Sequence, residues 1–252
     1  MIAFLAFVVQ LPWLCVALTP VVLERQCWYE HPLSTVNLHT SSSNRLREYA
    51  SVIEDWNLND VLRDANVEDY APWAYPPACT NILQSIDDKL CVYTSTSFGN
   101  GRGISIFTTP TLAGQFTSLS AFQDPSALDA QHINANSGTW HTSSLPGKGI
   151  GMLASEPLKF RDRVTAYTPA FLAYLEPELS TLDREAWWRV AIEQLPKKLR
   201  EDFMSLTYVF GDERVRVQDI VKANTFQVNI AGVNHLAIFP ETSRLNHACN
   251  PK

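Results

Sequence analysis

The sequence predicts an α+β fold, and three observations carry that expectation. Runs such as CVYTSTSF, ISIFTT, FQVNI and HLAIF are rich in β-branched and aromatic residues and are bounded by turn formers. LDREAWWRVAIEQL, by contrast, repeats apolar residues at helical spacing. In the second half of the chain the runs follow the order β-β-α-α-β-β, which places small β-sheets around a helical insertion.

Size and composition permit such a fold. The 252 residues suffice for one large domain or two small ones with a real core. With 46% hydrophobic and 18% charged residues, the composition is that of a globular protein rather than a disordered one. A formal net charge of −6 argues against nucleic acid as the main partner, because neutralising phosphates takes Lys and Arg. The same charge suits a basic protein or peptide substrate.

From the N-terminus, MIAFLAFVVQLPWLCVAL is apolar throughout, but Gln10 and Pro12 weaken a bilayer span, so no stable membrane span is expected. A signal peptide over residues 1–17, with Cys15-Val16-Ala17 as small-residue cleavage site, fits this stretch. An uncleaved anchor or a buried helix are the alternatives. The leader points to the secretory pathway or the extracellular space, and without it the location would be nuclear or cytoplasmic. In an oxidising compartment Cys79 and Cys91 are disulfide candidates, or Cys27 with either of them. No Cys-x-x-Cys occurs, so no zinc finger and no metal site is expected.

Residues 18–122 read as an N-terminal extension. Within it, Arg45–Leu62 has helical apolar spacing, APWAYPPAC is an irregular connection, and GNGRG joins two β runs as a hairpin. A short helix is expected after Pro110. Residues 123–146 are small and polar and read as a linker or surface loop. Residues 147–252 then hold GKGIGMLAS, a glycine turn feeding a strand, and RVTAYTPAFLAY, a second strand. LDREAWWRVAIEQL follows with Trp187, Val190, Ala191 and Leu195 on one stripe, and Pro196 bends or ends that helix. KLREDFMSL and VQDIVKANTF are further helices, followed by the strands FQVNI and HLAIF.

Two motifs can carry chemistry. Glycines in GKGIG let a backbone approach a ligand closely, yet the order is loop then strand, which excludes a dinucleotide-binding fingerprint. GRGISIF at Gly101 has the same texture, which turn chemistry alone can produce. The terminal SRLNHACNPK brings Asn, His and Cys together.

In combination these residues resemble the SET-domain family of protein lysine methyltransferases. Lys148-Gly149-Ile150-Gly151-Met152-Leu153-Ala154 is similar to the family's opening K-G-x-G motif. Arg163-Val164 and Thr168-Pro169 match the next strand, Ala223-Asn224-Thr225-Phe226 a "TNAF"-like segment, and Ser243 to Pro251 the R-x-N-H-S-C-x-P motif. The texture is closest to fungal SET proteins related to the MYND-associated subgroup, and the likeness covers Pro146 to Lys252. It implies a partial SET domain over 147–252 and S-adenosylmethionine as cofactor. The cofactor would be held, largely by backbone, at Lys148, Gly149, Ile150, Gly151, Asn224, Asn246 and His247. The implied reaction is in-line methyl transfer to a lysine amine kept neutral by desolvation, aligned by oxygen dipoles.

The Gly-Glu-Glu…Tyr segment that supplies the family's catalytic tyrosine does not occur in these residues. No catalytic residue is therefore assigned, and the chain is expected to be truncated after the Asn-His-x-Cys motif and inactive as it stands. A non-catalytic, secreted SET-like binding or structural protein is the alternative.

Overall fold

A computed structural model describes residues 70–245, with the exception of 125 and 148. The leader, Cys27, the helix expected over Arg45–Leu62, Lys148, Asn246 and His247 lie outside the described residues.

The architecture is α+β, as expected. Strands β1 (Ala78–Cys79), β2 (Cys91–Ser95), β3 (Ile104–Thr108), β6 (Phe171–Tyr174), β7 (Phe226–Ile230) and β8 (Val233–Ile238) form one sheet in the order β1-β2-β3-β6-β8-β7. Neighbours are antiparallel except β3 and β6, which run parallel with Ile106 opposite Leu172. Three strands of the N-terminal extension and three of the C-terminal half thus share one hydrogen-bonded sheet. A second sheet holds only β4 (Trp140–Leu145) and β5 (Gly149–Ala154).

Alternation along the strands divides the core into two layers, because successive side chains leave opposite faces of a sheet. Val92, Phe107, Phe171, Ala173, Leu236 and Ile238 face one layer. There they meet helices α4 (Thr181–Glu193), α5 (Lys197–Met204) and α6 (Arg216–Asn224) through Trp188, Ile192, Phe203 and Ile220. Cys91, Tyr93, Ile104, Ile106, Leu172 and Ala237 face the other, against α1 (Pro110–Thr117), α2 (Ser120–Gln123) and α3 (Ser126–Asp129). All ten residues of β2 and β3 are buried, which is why these runs read from sequence as continuous β segments. Truncating a fully buried ring such as Phe171 or Phe203 to alanine costs about 3–5 kcal/mol.

Local chemistry sets the helix ends. Thr109 accepts the amide of Leu112 at 3.3 Å and Pro110 occupies the first turn, so α1 starts where the sequence predicts. Pro196, lacking an N–H, separates α4 from α5. The start of α6 is capped by another helix: the buried Glu185 of α4 accepts the amides of Val217 (3.0 Å) and Gln218 (2.9 Å). A carboxylate there meets the positive end of the helix dipole, and Arg189 pairs with it at 2.8 Å.

Three expectations change. Residues 140–145, inside the stretch expected as linker or surface loop over 123–146, form β4, and Ser126–Asp129 is helical. WHTSSL is exposed or half-buried at every position, so it carries no hydrophobic alternation to reveal a strand. Only Phe171–Tyr174 of RVTAYTPAFLAY is a strand, because Pro169 removes a ladder donor and restrains Thr168. The α4 stripe is Trp188, Ala191, Ile192 and Leu195, with Trp187 and Val190 half-buried beside it. The expected hairpin forms, since β2 and β3 pair antiparallel, and GNGRG lies within its connection, with Gly99 and Asn100 both at φ 58°. Of the cysteine pairings left open, Cys79–Cys91 forms a disulfide, across directly opposite positions of β1 and β2. Among the described residues no helix is long and apolar enough to cross a membrane.

Candidate functional site

Beyond β8 the chain passes Phe239 and Pro240 into a 3-10 turn, Thr242–Arg244, the last described element before Asn246 and His247. Three short-range bonds close it: Ser243 N–H to Phe239 O (2.8 Å), Arg244 N–H to Glu241 O (3.2 Å) and Leu245 N–H to Thr242 O (3.0 Å). So small a turn cannot hold its own place, and its neighbours supply the anchors.

Four of them converge here. Strand β5, which begins with Gly149–Gly151, lies alongside the turn. The Ser243 hydroxyl donates to the carbonyl of Asn224 at 3.3 Å, so the C-terminal end of α6 joins the same place. Thr165 and Thr242 share a hydroxyl–hydroxyl bond of 3.0 Å. Arg244 donates to the hydroxyl (2.6 Å) and carbonyl (3.3 Å) of Ser205, and burial lowers its pKa, against the pull of Asp202 and Glu241.

Four of the residues named from sequence have a described position, while Lys148, Asn246 and His247 lie outside the described residues. Gly149 opens β5 at φ +70°, a conformation that side chains resist, and a Cβ there would meet nothing within 4 Å. Among the described residues, glycine is needed at 149 for backbone shape alone, since none of them stands within 4 Å of the added Cβ. Ile150 is exposed and Gly151 is buried. Asn224 takes part through its carbonyl: its side-chain amide is spent on Thr207 O (2.7 Å) and Ile220 O (2.8 Å), where it ties the helix end to the preceding loop. Of the seven expected cofactor contacts, four are described: Gly149, Ile150 and Gly151 in β5, which lies alongside the turn, and Asn224, whose carbonyl bonds Ser243.

Arg102 and Glu241 are additional. The Arg102 guanidinium grips both carboxylate oxygens of Glu241, at 2.7 and 2.8 Å, and donates to Thr168 O at 3.2 Å. It also stands 5.5 Å over the ring of Tyr167, whose other neighbour is Trp140 of β4, 6.5 Å away edge-on. Burial raises the Tyr167 pKa, Glu241 adds to the rise and Arg102 opposes it. Thr168 in turn sends its N–H (2.7 Å) and hydroxyl (3.0 Å) to the Asn134 side chain. Arg102 Nε and Asn134 Nδ2 are buried without an acceptor, each at a cost of about 1–3 kcal/mol. The one signal in the sequence for this cluster is a single arginine set among the glycines of GNGRG. Its partner lies 139 residues away and follows no local rule.

Chemically, the place combines a largely exposed glycine strand, a polar turn and a half-buried ion pair. Among the described residues no group of three or more His, Cys, Asp or Glu side chains gathers as a metal site would. Compared with known proteins, the chain matches no family model, no curated protein and no solved structure.

Proposed function

We propose that this chain carries the cofactor-binding part of a SET-type protein lysine methyltransferase. The single observation that supports the reading is the meeting of three segments that resemble the family's cofactor motifs. Strand β5 with Gly149–Gly151, the helix end at Asn224, and the turn Thr242–Arg244 leading to Asn246-His247 are far apart in sequence and adjacent in the fold. S-adenosylmethionine would rest its polar groups on the exposed backbone at Gly149 and Ile150 and on the Asn246-His247 side. The chain's own residues contribute binding and orientation, by backbone groups fixed in advance. Methyl transfer to a lysine of a basic protein or peptide further needs a tyrosine-bearing Gly-Glu-Glu…Tyr segment, which these 252 residues do not contain.

The Cys79–Cys91 bridge favours a location in the secretory pathway or outside the cell, since cytosolic thiols are kept reduced. It equally suits the second reading, a secreted, non-catalytic SET-like binding protein. Titration of the chain with S-adenosylhomocysteine by isothermal calorimetry tests the cofactor proposal. Saturable binding that weakens in Gly149→Val is expected, and no heat at millimolar ligand overturns it. Turnover of S-adenosylmethionine on a lysine peptide by this polypeptide would contradict the need for the tyrosine segment.

A further inference from the structure

The N-terminal extension has no role in the cofactor reading, yet its glycine turn reaches the same turn of chain. Between β2 and β3, Gly99, Asn100, Gly101 and Gly103 all take positive φ, and Arg102 alone among them returns to φ −62°. Bonds from Gly101 N–H to Ser97 O (3.0 Å) and Gly103 N–H to Phe98 O (2.9 Å) lock this shape. Gly103 is pinned from outside as well, since a Cβ there would lie 2.5 Å from Cδ of Pro196. A connection held this firmly has one long side chain to present, and that side chain makes the bidentate pair with Glu241.

We infer that Arg102 is a positioning residue: it clamps Glu241 so that the Thr242–Arg244 turn is held against β5. The clamp draws on four structural parts. The guanidinium is fixed by Glu241 on two sides and by Thr168 O on a third, and it lies over the Tyr167 ring. Tyr167 packs on Trp140 of the hairpin that contains β5, so the two sides of the site are joined through one cation. Side-chain exposures of 13% for Arg102 and 19% for Glu241 leave the pair half-shielded, and its two-pronged, charge-assisted geometry fixes both groups in one orientation. Both oxygens of Glu241 are taken by Arg102, so removing either partner leaves a shielded charge alone. The significance of the clamp for a cofactor rests on the reading under Proposed function; the clamp itself does not.

The test is amide hydrogen exchange on the full chain, with Arg102→Ala, Arg102→Lys and Glu241→Gln. Expected is a rise of about tenfold or more in exchange at Ser243, Arg244 and Leu245 for Arg102→Ala and Glu241→Gln, as when a shielded ion pair loses one partner. Arg102→Lys should fall between these and the wild type, because an ammonium keeps the charge and loses the fork. Amides of β2 should keep their protection in every variant. If Arg102→Ala fails to fold, Glu241→Gln, nearly identical in shape, decides. Wild-type exchange at all three amides in Glu241→Gln overturns the clamp.

A second arm titrates S-adenosylhomocysteine. Weaker binding in Glu241→Gln, in step with faster exchange, supports positioning of a cofactor site. Unchanged binding despite faster exchange overturns it. A wild type that binds nothing, with the exchange changes intact, removes the cofactor reading and leaves the clamp standing.

Discussion

Two stretches of this chain share a pattern and live in opposite surroundings. GRGISIF (101–107) and GKGIGML (147–153) are each a glycine turn running into a strand. The first strand, β3, is the third strand of six and is buried at every position. Its Gly103 is pressed against Pro196. The second, β5, pairs only with β4, is exposed at four of its six positions, and has open space beside Gly149. The same residues therefore answer two different demands. Glycine at 103 is required by its neighbours and its backbone, whereas glycine at 149 is required by its backbone alone. A motif in open space is available to a ligand, and a motif under a proline ring is not.

The contrast breaks first at Gly103. Gly103→Ala combines left-handed strain with a clash against a ring that ends one helix and begins the next. A loss of about 3 kcal/mol is expected from the two terms together, read as a lower urea midpoint with unchanged slope. A wild-type midpoint would mean that Pro196 moves freely and that the two motifs differ less than their burial suggests.

Acid offers the next test, because the buried motif's strand ends at a histidine. Thr108 bonds Nε2 of the fully buried His235 at 3.1 Å, and Val233 O meets Nδ1 at 3.2 Å. Burial pushes the His235 pKa below its ordinary value, and the bond to Val233 O opposes this only in part. The neutral ring belongs to the folded state, so its contribution is complete above the unfolded-state value of about 6.5. It declines as pH falls below that value, where the unfolded chain takes up a proton that the folded chain resists, and is lost on passing the depressed folded value. Urea midpoints measured from about pH 8 to about pH 5 should fall over this window, and the fall should flatten in His235→Gln. An equal slope in both proteins would place the acid sensitivity elsewhere.

The smallest effect belongs to the open motif. Gly149→Ala should cost about 1–2 kcal/mol, the left-handed strain without a clash. Circular dichroism unfolding checks this, and a loss as large as that of Gly103→Ala would show that β5 is packed after all.

How far these features could be read from the residues depends on how local their causes are. β2, β3 and β8 announce themselves because buried strands select β-branched and aromatic side chains, and β7 because Phe226, Val228 and Ile230 alternate with exposed residues. β4 does not, since a solvated strand such as WHTSSL needs no apolar face. Of the cofactor candidates, Asn224 bonds the turn through its carbonyl and β5 lies alongside it, a meeting of segments that residue type and spacing alone do not reveal. Glu185 capping α6 from 32 residues away, and Arg102 holding Glu241, leave no local trace: each is a charge whose meaning comes from a distant partner.

Synthesis meets the pairing of β3 with β6 in an awkward order. β1, β2 and β3 can form a meander as soon as residue 108 has emerged, yet the far edge of β3 waits for Phe171–Tyr174. In that interval ISIFT, uncharged and β-prone, presents an unpaired row of N–H and C=O groups, the template on which chains aggregate. β6 closes that edge, and β8 then closes the edge that β6 itself brings. A strand of four residues thus removes from the folded protein the edge on which the first half would otherwise be open to pairing with another chain.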